Sequence, residues 1–143
     1  YRKDKKNISK YQYYITLEEY INTHSLNKIV TLWGFQKNPY PYLQNSDIFV
    51  CSSISEGYST AVTEALILEL PVITTACSGM DELLLNGKCG LITNNTEEDL
   101  YFGIKKCLDH PDILSTYKIQ IRQRNKEFEL SNRISQIENM FCS

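Results

Sequence analysis

Residues 47–75 read DIFVCSSISEGYSTAVTEALILELPVITT. The stretch opens on Asp47-Ile48-Phe49-Val50-Cys51 and closes on Pro71-Val72-Ile73-Thr74-Thr75. Both ends are short and continuously apolar, the pattern of strands covered on two faces rather than one. Ser52 to Gly57 is a polar loop, and Thr60 to Leu70 presents apolar residues almost all round, as a buried helix does. Strand, loop, helix and strand in that order form a βαβ unit, which joins parallel strands.

Outward from this unit the alternation continues. Gly90-Leu91-Ile92-Thr93 reads as a further strand, with a helix from about Met80 to Leu85 before it. Thr96 is a candidate N-cap, with Glu97, Glu98 and Asp99 in the first turn, where the helix dipole favours acids. That helix runs to about Leu108, Asp109-His110-Pro111 breaks it, and a long amphipathic helix or helix pair fills Asp112 to Met140. Upstream, Ile29 to Trp33 is an apolar, β-branched run stopped by Gly34 and reads as a buried strand. Tyr13 to Asn22 has helical spacing, Asn38-Pro39-Tyr40-Pro41 is a turn, and Pro41 to Gln44 starts a short helix. The expected fold class is α/β, a parallel Rossmann-like sheet with helices on both faces. In such sheets ligands sit beyond the carboxyl ends of the strands, which directs the search to the loop after Cys51.

The chain has 143 residues, enough for one domain, and its 42% hydrophobic and 22% charged content is an ordinary globular balance. A net charge of −2 excludes a strongly basic nucleic-acid binder. No run approaches the ~20 apolar residues of a membrane span, and residues 1–10 are polar, unlike a secretory signal. Five cysteines (51, 77, 89, 107 and 142) include no CxxC, and His24 and His110 stand apart from them, so no zinc site is expected. They read as reduced structural thiols of a cytosolic protein. Asn7-Ile8-Ser9 and Asn94-Asn95-Thr96 match a glycosylation sequon too short to carry weight. The chain begins at Tyr1 without a capping or turn signal and reads as a piece of a longer protein.

Glu64 carries the chemical argument. A carboxylate in a helix this apolar needs a partner, or burial costs several kcal/mol. It lies about one turn into the helix, where its two oxygens can accept from two adjacent hydroxyls, as a ribose provides. The N–H groups of Ser59, Thr60 and Ala61 open the helix and suit a phosphate. Ser59 or Thr60 is the N-cap, and Gly57 permits a close approach or a positive φ. Glu56 then faces whatever the phosphate carries. The alternative is that both glutamates are solvated or enjoy the positive helix end. Between residues 44 and 100 nine acids stand against one base, Lys88, a local charge of −8. A diphosphate there would need helix amides and basic groups from elsewhere, and nucleic acid is disfavoured.

Ser53 to Leu70 followed by Pro71 to Thr75 resembles the nucleotide-sugar site of retaining glycosyltransferases of family 4, which have the GT-B fold. That family's pattern is Ser-x-x-Glu-Gly-Phe-Gly, then Glu-Ala, with the glutamates spaced as Glu56 and Glu64 are. Val30-Thr31-Leu32-Trp33-Gly34, Tyr42 to Val50, Gly79-Met80-Asp81-Glu82 and Asn86 to Ile92 extend the likeness, which spans about residues 28–108. Tyr58 and Ser59 depart from it, standing where Phe and Gly are usual.

The resemblance implies that the chain is a single, incomplete nucleotide-sugar-binding domain over residues 1–143, with 112–143 a C-terminal helical segment. The acceptor domain and two opening strands, which supply an Arg and a Lys to the diphosphate, are not in this sequence. It implies a catalytic role for Glu56, ribose binding by Glu64, and sugar and diphosphate contacts from Gly57, Tyr58, Ser59 and Thr60. It implies no metal and no cofactor, the nucleotide-diphosphate sugar being the donor substrate. The acceptor would be a glycan or a lipid-linked glycan, in surface polysaccharide assembly, on the cytoplasmic side and at the inner face of the membrane when the acceptor is lipid-linked. By itself the chain should not catalyse.

Other readings stand beside it. A non-catalytic glycosyltransferase-like partner subunit would share these residues, and so would a sugar-nucleotide epimerase of similar fold, whose histidine is not evident here. A dinucleotide dehydrogenase is disfavoured, since no GxGxxG exists. The basic residues Lys118, Arg122, Arg124, Lys126 and Arg133 mark either a solvated helix face or contact with an anionic membrane surface. Trp33 and Tyr42 either flank a base or, for Trp33, pack in the core. Phe35, Gln36 and Lys37 are candidates to line the base pocket.

Overall fold

The computed structural model describes residues 10–141, the side chains of residues 10, 11, 128 and 130–141 excepted. The basic run at residues 2–6, the sequon at Asn7 and Cys142 lie outside the described residues, as do the side chains of Phe128 and Arg133. The chain forms two compact units, Tyr1–Asn38 and Pro39–Ser143.

The first unit holds α1 (Lys10–Thr23) and an extended tail. Thr16 and Thr23 hydroxyls donate to carbonyls one turn back, and Ser25 at φ 56° ends the helix. Tyr20 and His24 rings stack at 4.0 Å. The strand expected at Ile29 to Trp33 is not formed. The amides of Ile29 and Val30 both donate to Leu26 O, and residues 30–34 make no ladder. Ile29 is 79% and Trp33 60% exposed, which also removes the core-packing reading of Trp33. The physical reason is pairing. A strand needs a neighbouring strand to satisfy its N–H and C=O groups. No strand precedes Ile29 among the described residues, so its backbone has no ladder to join.

The second unit begins with α2 (Tyr40–Gln44), capped by Pro39 with Pro41 inside the first turn. β1 (Phe49–Cys51), β2 (Val72–Thr75) and β3 (Gly90–Thr93) form a parallel sheet in that order, Val50 opposite Ile73 and Ile73 opposite Leu91. Helices lie on both faces. Val62, Ala65 and Leu66 of α3 (Thr60–Ile67) and Met80 and Leu83 of α4 (Met80–Leu83) pack with Cys51 and Val72 in one core. On the other face Gly103 of α5 (Glu97–Asp109) lies over Ile73, Leu91 and Thr93. α6 (Pro111–Phe141) is one continuous helix that buries Ile121 in the first core and packs on α3 and α5. The central strand β2 is buried on both faces, which explains its unbroken run, while Val50 of β1 is 40% exposed.

Two ends were misjudged by the pattern. α3 stops at Ile67, because Leu68 caps it and Glu69 turns back at φ 61°, its carboxylate 2.6 Å from Arg122 Nε. α4 stops at Leu83, with Leu85 and Asn86 at positive φ. The Thr96 cap forms as read: its Oγ1 accepts from Asp99 N at 3.0 Å and donates to Asp99 Oδ2 at 2.8 Å. The four described cysteines are free thiols, and burial raises the pKa of Cys89 and Cys107. No described helix is long and apolar enough to cross a membrane.

Gly90 sets how closely β3 meets β2. A Cβ there would overlap the Val72 carbonyl oxygen and press on Leu84. Gly90→Ala therefore forces the strands apart and is expected to cost about 3 kcal/mol, read as a lower urea midpoint.

Candidate functional site

The loop between β1 and α3 is pinned from below. The Ser53 carbonyl accepts from Thr75 Oγ1 at 2.5 Å and from Cys77 Sγ at 2.8 Å, both at the carboxyl end of β2. This ties the loop to the strand end where ligands of such sheets sit. Ser53 Oγ then donates to Glu56 Oε1 at 2.6 Å. The Ser59 hydroxyl lies near enough to favour the charged form of Glu56 as well. The two serines hold the Glu56 carboxyl below its ordinary pKa, Ser53 contributing more, against a small opposing effect of burial.

Ser59 is the N-cap of α3, buried to 3% exposure, with its side chain accepting from Val62 N at 3.4 Å and its carbonyl from Thr63 N and Thr63 Oγ1. Ser59 thus stands between the Glu56 loop and the helix that carries Glu64. Thr60 is the exposed first residue of that helix. Glu64 is half-buried, and its Oε1 accepts from Tyr40 Oη at 3.2 Å. That hydrogen bond, then the carboxylate's charge, raises the Tyr40 pKa.

Gly57 does not use a positive φ, and a Cβ on it would meet nothing within 4 Å. The left-handed residue is instead Gly79, at φ 81° as the N-cap of α4, with the Gly57 carbonyl 3.2 Å from where its Cβ would stand. Tyr58 points elsewhere. Its exposed ring lines a groove of about 200 Å³ with Thr63, Ile67, Arg124, Asn125 and Glu129, between α3 and α6. The structure thus brings Glu56 and Ser59 together, and Glu64 onto the helix Ser59 caps, while Tyr58 sides with α6.

Reading the residues alone missed Tyr40, Thr75 and Cys77. Ser53 had a local signal, lying three residues before Glu56. Phe35, Gln36 and Lys37 belong to the first unit, where Phe35 is exposed and Gln36 Nε2 donates to Trp33 O at 2.6 Å. Among the described residues no group of three or more His, Cys, Asp or Glu is placed to hold a metal.

Ser53→Ala tests the pinning of Glu56. Its hydroxyl favours the charged form, so the folded pKa lies below the unfolded one. The stability this gives is fully present above the ordinary glutamate range and is lost as pH falls through the lowered folded value. Ser53→Ala should move Glu56 up toward the ordinary glutamate pKa in a carboxyl-carbon NMR titration. Its stability deficit at neutral pH should shrink in acid.

The sequence profile of the family described as "Glycosyl transferases group 1" matches residues 10–110. An uncharacterized glycosyltransferase of Methanocaldococcus jannaschii is 49% identical over 69 residues, 48% of this chain and 17% of the relative. The N-acetylgalactosamine-N,N'-diacetylbacillosaminyl-diphospho-undecaprenol 4-alpha-N-acetylgalactosaminyltransferase of Campylobacter jejuni is 31% identical over 107 residues, 73% of this chain and 29% of the relative. The chain therefore spans less than a third of the length of either. Sucrose-phosphate synthase from Thermosynechococcus elongatus superposes with a TM-score of 0.71 at 20% identity, over 89% of this chain and 34% of that one. That likeness places the fold as part of a GT-B enzyme. The chain belongs to the group 1 glycosyl transferases, family 4.

Proposed function

We propose that this chain supplies the donor site of a retaining hexosyltransferase, which moves a sugar from a nucleotide-diphosphate sugar to a glycan or lipid-linked acceptor in surface polysaccharide synthesis. The acceptor class is suggested by the Campylobacter relative, whose name carries a diphospho-undecaprenol. The observation that carries the reading is the different setting of two carboxylates on one loop and helix: Glu56 accepts from the Ser53 hydroxyl of its own loop, and Glu64 accepts from the Tyr40 phenol.

In this reading Glu64 accepts from the vicinal ribose hydroxyls. The amides of Thr60 and Ala61, which the Ser59 cap does not engage, face the diphosphate at the positive end of α3. Glu56 lies by the transferred sugar. The bond from the anomeric carbon to the phosphate oxygen breaks, and its electron pair leaves with the diphosphate. The acceptor oxygen bonds to the same face, and its proton passes to the departing diphosphate. Positive charge grows on the sugar ring meanwhile, and a carboxylate kept ionised at neutral pH stabilises it. The backbone of Gly57, Tyr58, Ser59 and Thr60 would border this space, with the Tyr58 ring turned to the groove against α6. The acceptor would be held by a separate domain, at the inner face of the membrane, and residues 1–143 alone would not turn over.

The test is donor turnover by the full-length gene product with UDP-, GDP- and ADP-linked hexoses. Release of one nucleoside diphosphate, dependent on acceptor, supports the proposal. No release from any, by folded protein supplied with polyprenyl-diphosphate glycan, contradicts it and favours a partner subunit.

A further inference from the structure

Tyr40 reaches Glu64 across 24 residues of sequence from a segment built to be stiff. It stands between Pro39, the cap of α2, and Pro41 in the first turn, so fixed φ angles flank it. Asn45 Nδ2 closes on Pro41 O at 2.7 Å and Ser46 Oγ on Tyr42 O at 2.8 Å. Leu43 packs against the core that α3 shares. The phenol is thus presented by a clamped turn to a flexible glutamate on a rigid helix.

A carboxylate has about four acceptor positions. The phenol takes one, on Oε1, which leaves Oε2 and the second position of Oε1 for a pair of hydroxyls. We propose that Tyr40 is a positioning residue: it fixes the plane of the Glu64 carboxylate so that both oxygens meet the vicinal diol of the donor's ribose at once. This rests on the proposal that Glu64 binds the ribose. Ordering the side chain before the donor arrives removes an entropy cost from binding. Because the carboxylate raises the phenol's pKa, Tyr40 remains a hydrogen donor through the neutral range.

The experiment is calorimetry on the full-length gene product with UDP, GDP or ADP, whichever the wild type binds, and with its 2′-deoxy counterpart. Tyr40→Phe keeps the ring and removes the donor. It should weaken the ribonucleotide about three- to tenfold, weaken the 2′-deoxynucleotide far less, and leave kcat at saturating donor within about twofold of wild type. In a Glu64→Ala background, Tyr40→Phe should add nothing. Equal loss for both nucleotides, or an unchanged ribonucleotide affinity, overturns the inference, provided thermal melting confirms a folded variant. If Glu64→Ala weakens the ribonucleotide while Tyr40→Phe does not, the inference alone falls. If Glu64→Ala leaves that affinity intact, the ribose reading falls and the inference goes with it.

Discussion

Replacing Glu64 with alanine should lower donor-nucleotide affinity about a hundredfold or more, measured by calorimetry on the full-length gene product. The magnitude follows from the bonds at stake. Each hydrogen bond to a charged group is worth about 1.5–3 kcal/mol, and a ribose diol makes two. The fold has little to lose. Glu64 is only half-buried, alanine is the better helix former, and Tyr40 is 45% exposed, so its hydroxyl can turn to water. The melting temperature should therefore stay near that of wild type while affinity collapses. Glu64→Gln keeps an acceptor oxygen and should fall between the two. An unchanged affinity in Glu64→Ala would remove the ribose contact from the account.

Glu56→Gln should do the opposite, lowering kcat about 10²–10³-fold while donor affinity moves less than about threefold. The amide keeps the size of the carboxylate, and its oxygen can still accept from Ser53. On the proposed reading, what disappears is the negative charge beside the sugar, an effect of the size seen when one electrostatic stabiliser of a transition state is removed. The two variants thus separate binding from chemistry along a single loop and helix. A loss in Glu56→Gln that appears in affinity, with kcat intact, would assign Glu56 to donor binding.

The sheet was legible because its strands are short apolar runs, although only β2 is buried on both faces and Val50 of β1 is exposed. Phe49–Cys51, Val72–Thr75 and Gly90–Thr93 each appear as an unbroken apolar or β-branched run, needing no knowledge of what covers them. The Thr96 cap was legible because all its partners lie within three residues. Ile29 to Trp33 has the same composition and yet is no strand. Strand formation depends on a neighbour, and composition is silent about one. At the site, Ser59 was readable as a cap from its place before an apolar helix. Tyr40, Thr75 and Cys77 were not, since each meets its partner 22 to 24 residues away and Pro39-Tyr40-Pro41 signals only a turn. The local charge of −8 pointed to basic groups from elsewhere. Two arginines of α6 go elsewhere, Arg122 onto Glu69 and Arg124 into the groove beside Tyr58.

Ligand-detected NMR probes the nucleotide-sugar site proposed on the loop between β1 and α3. The full-length gene product is presented with UDP-, GDP- and ADP-sugars, and Glu64→Ala serves as the control. Saturation transfer to one nucleotide class is expected, strongest on the ribose protons, with its loss in Glu64→Ala. Transfer to none of them in folded protein, or equal transfer in Glu64→Ala, would contradict it.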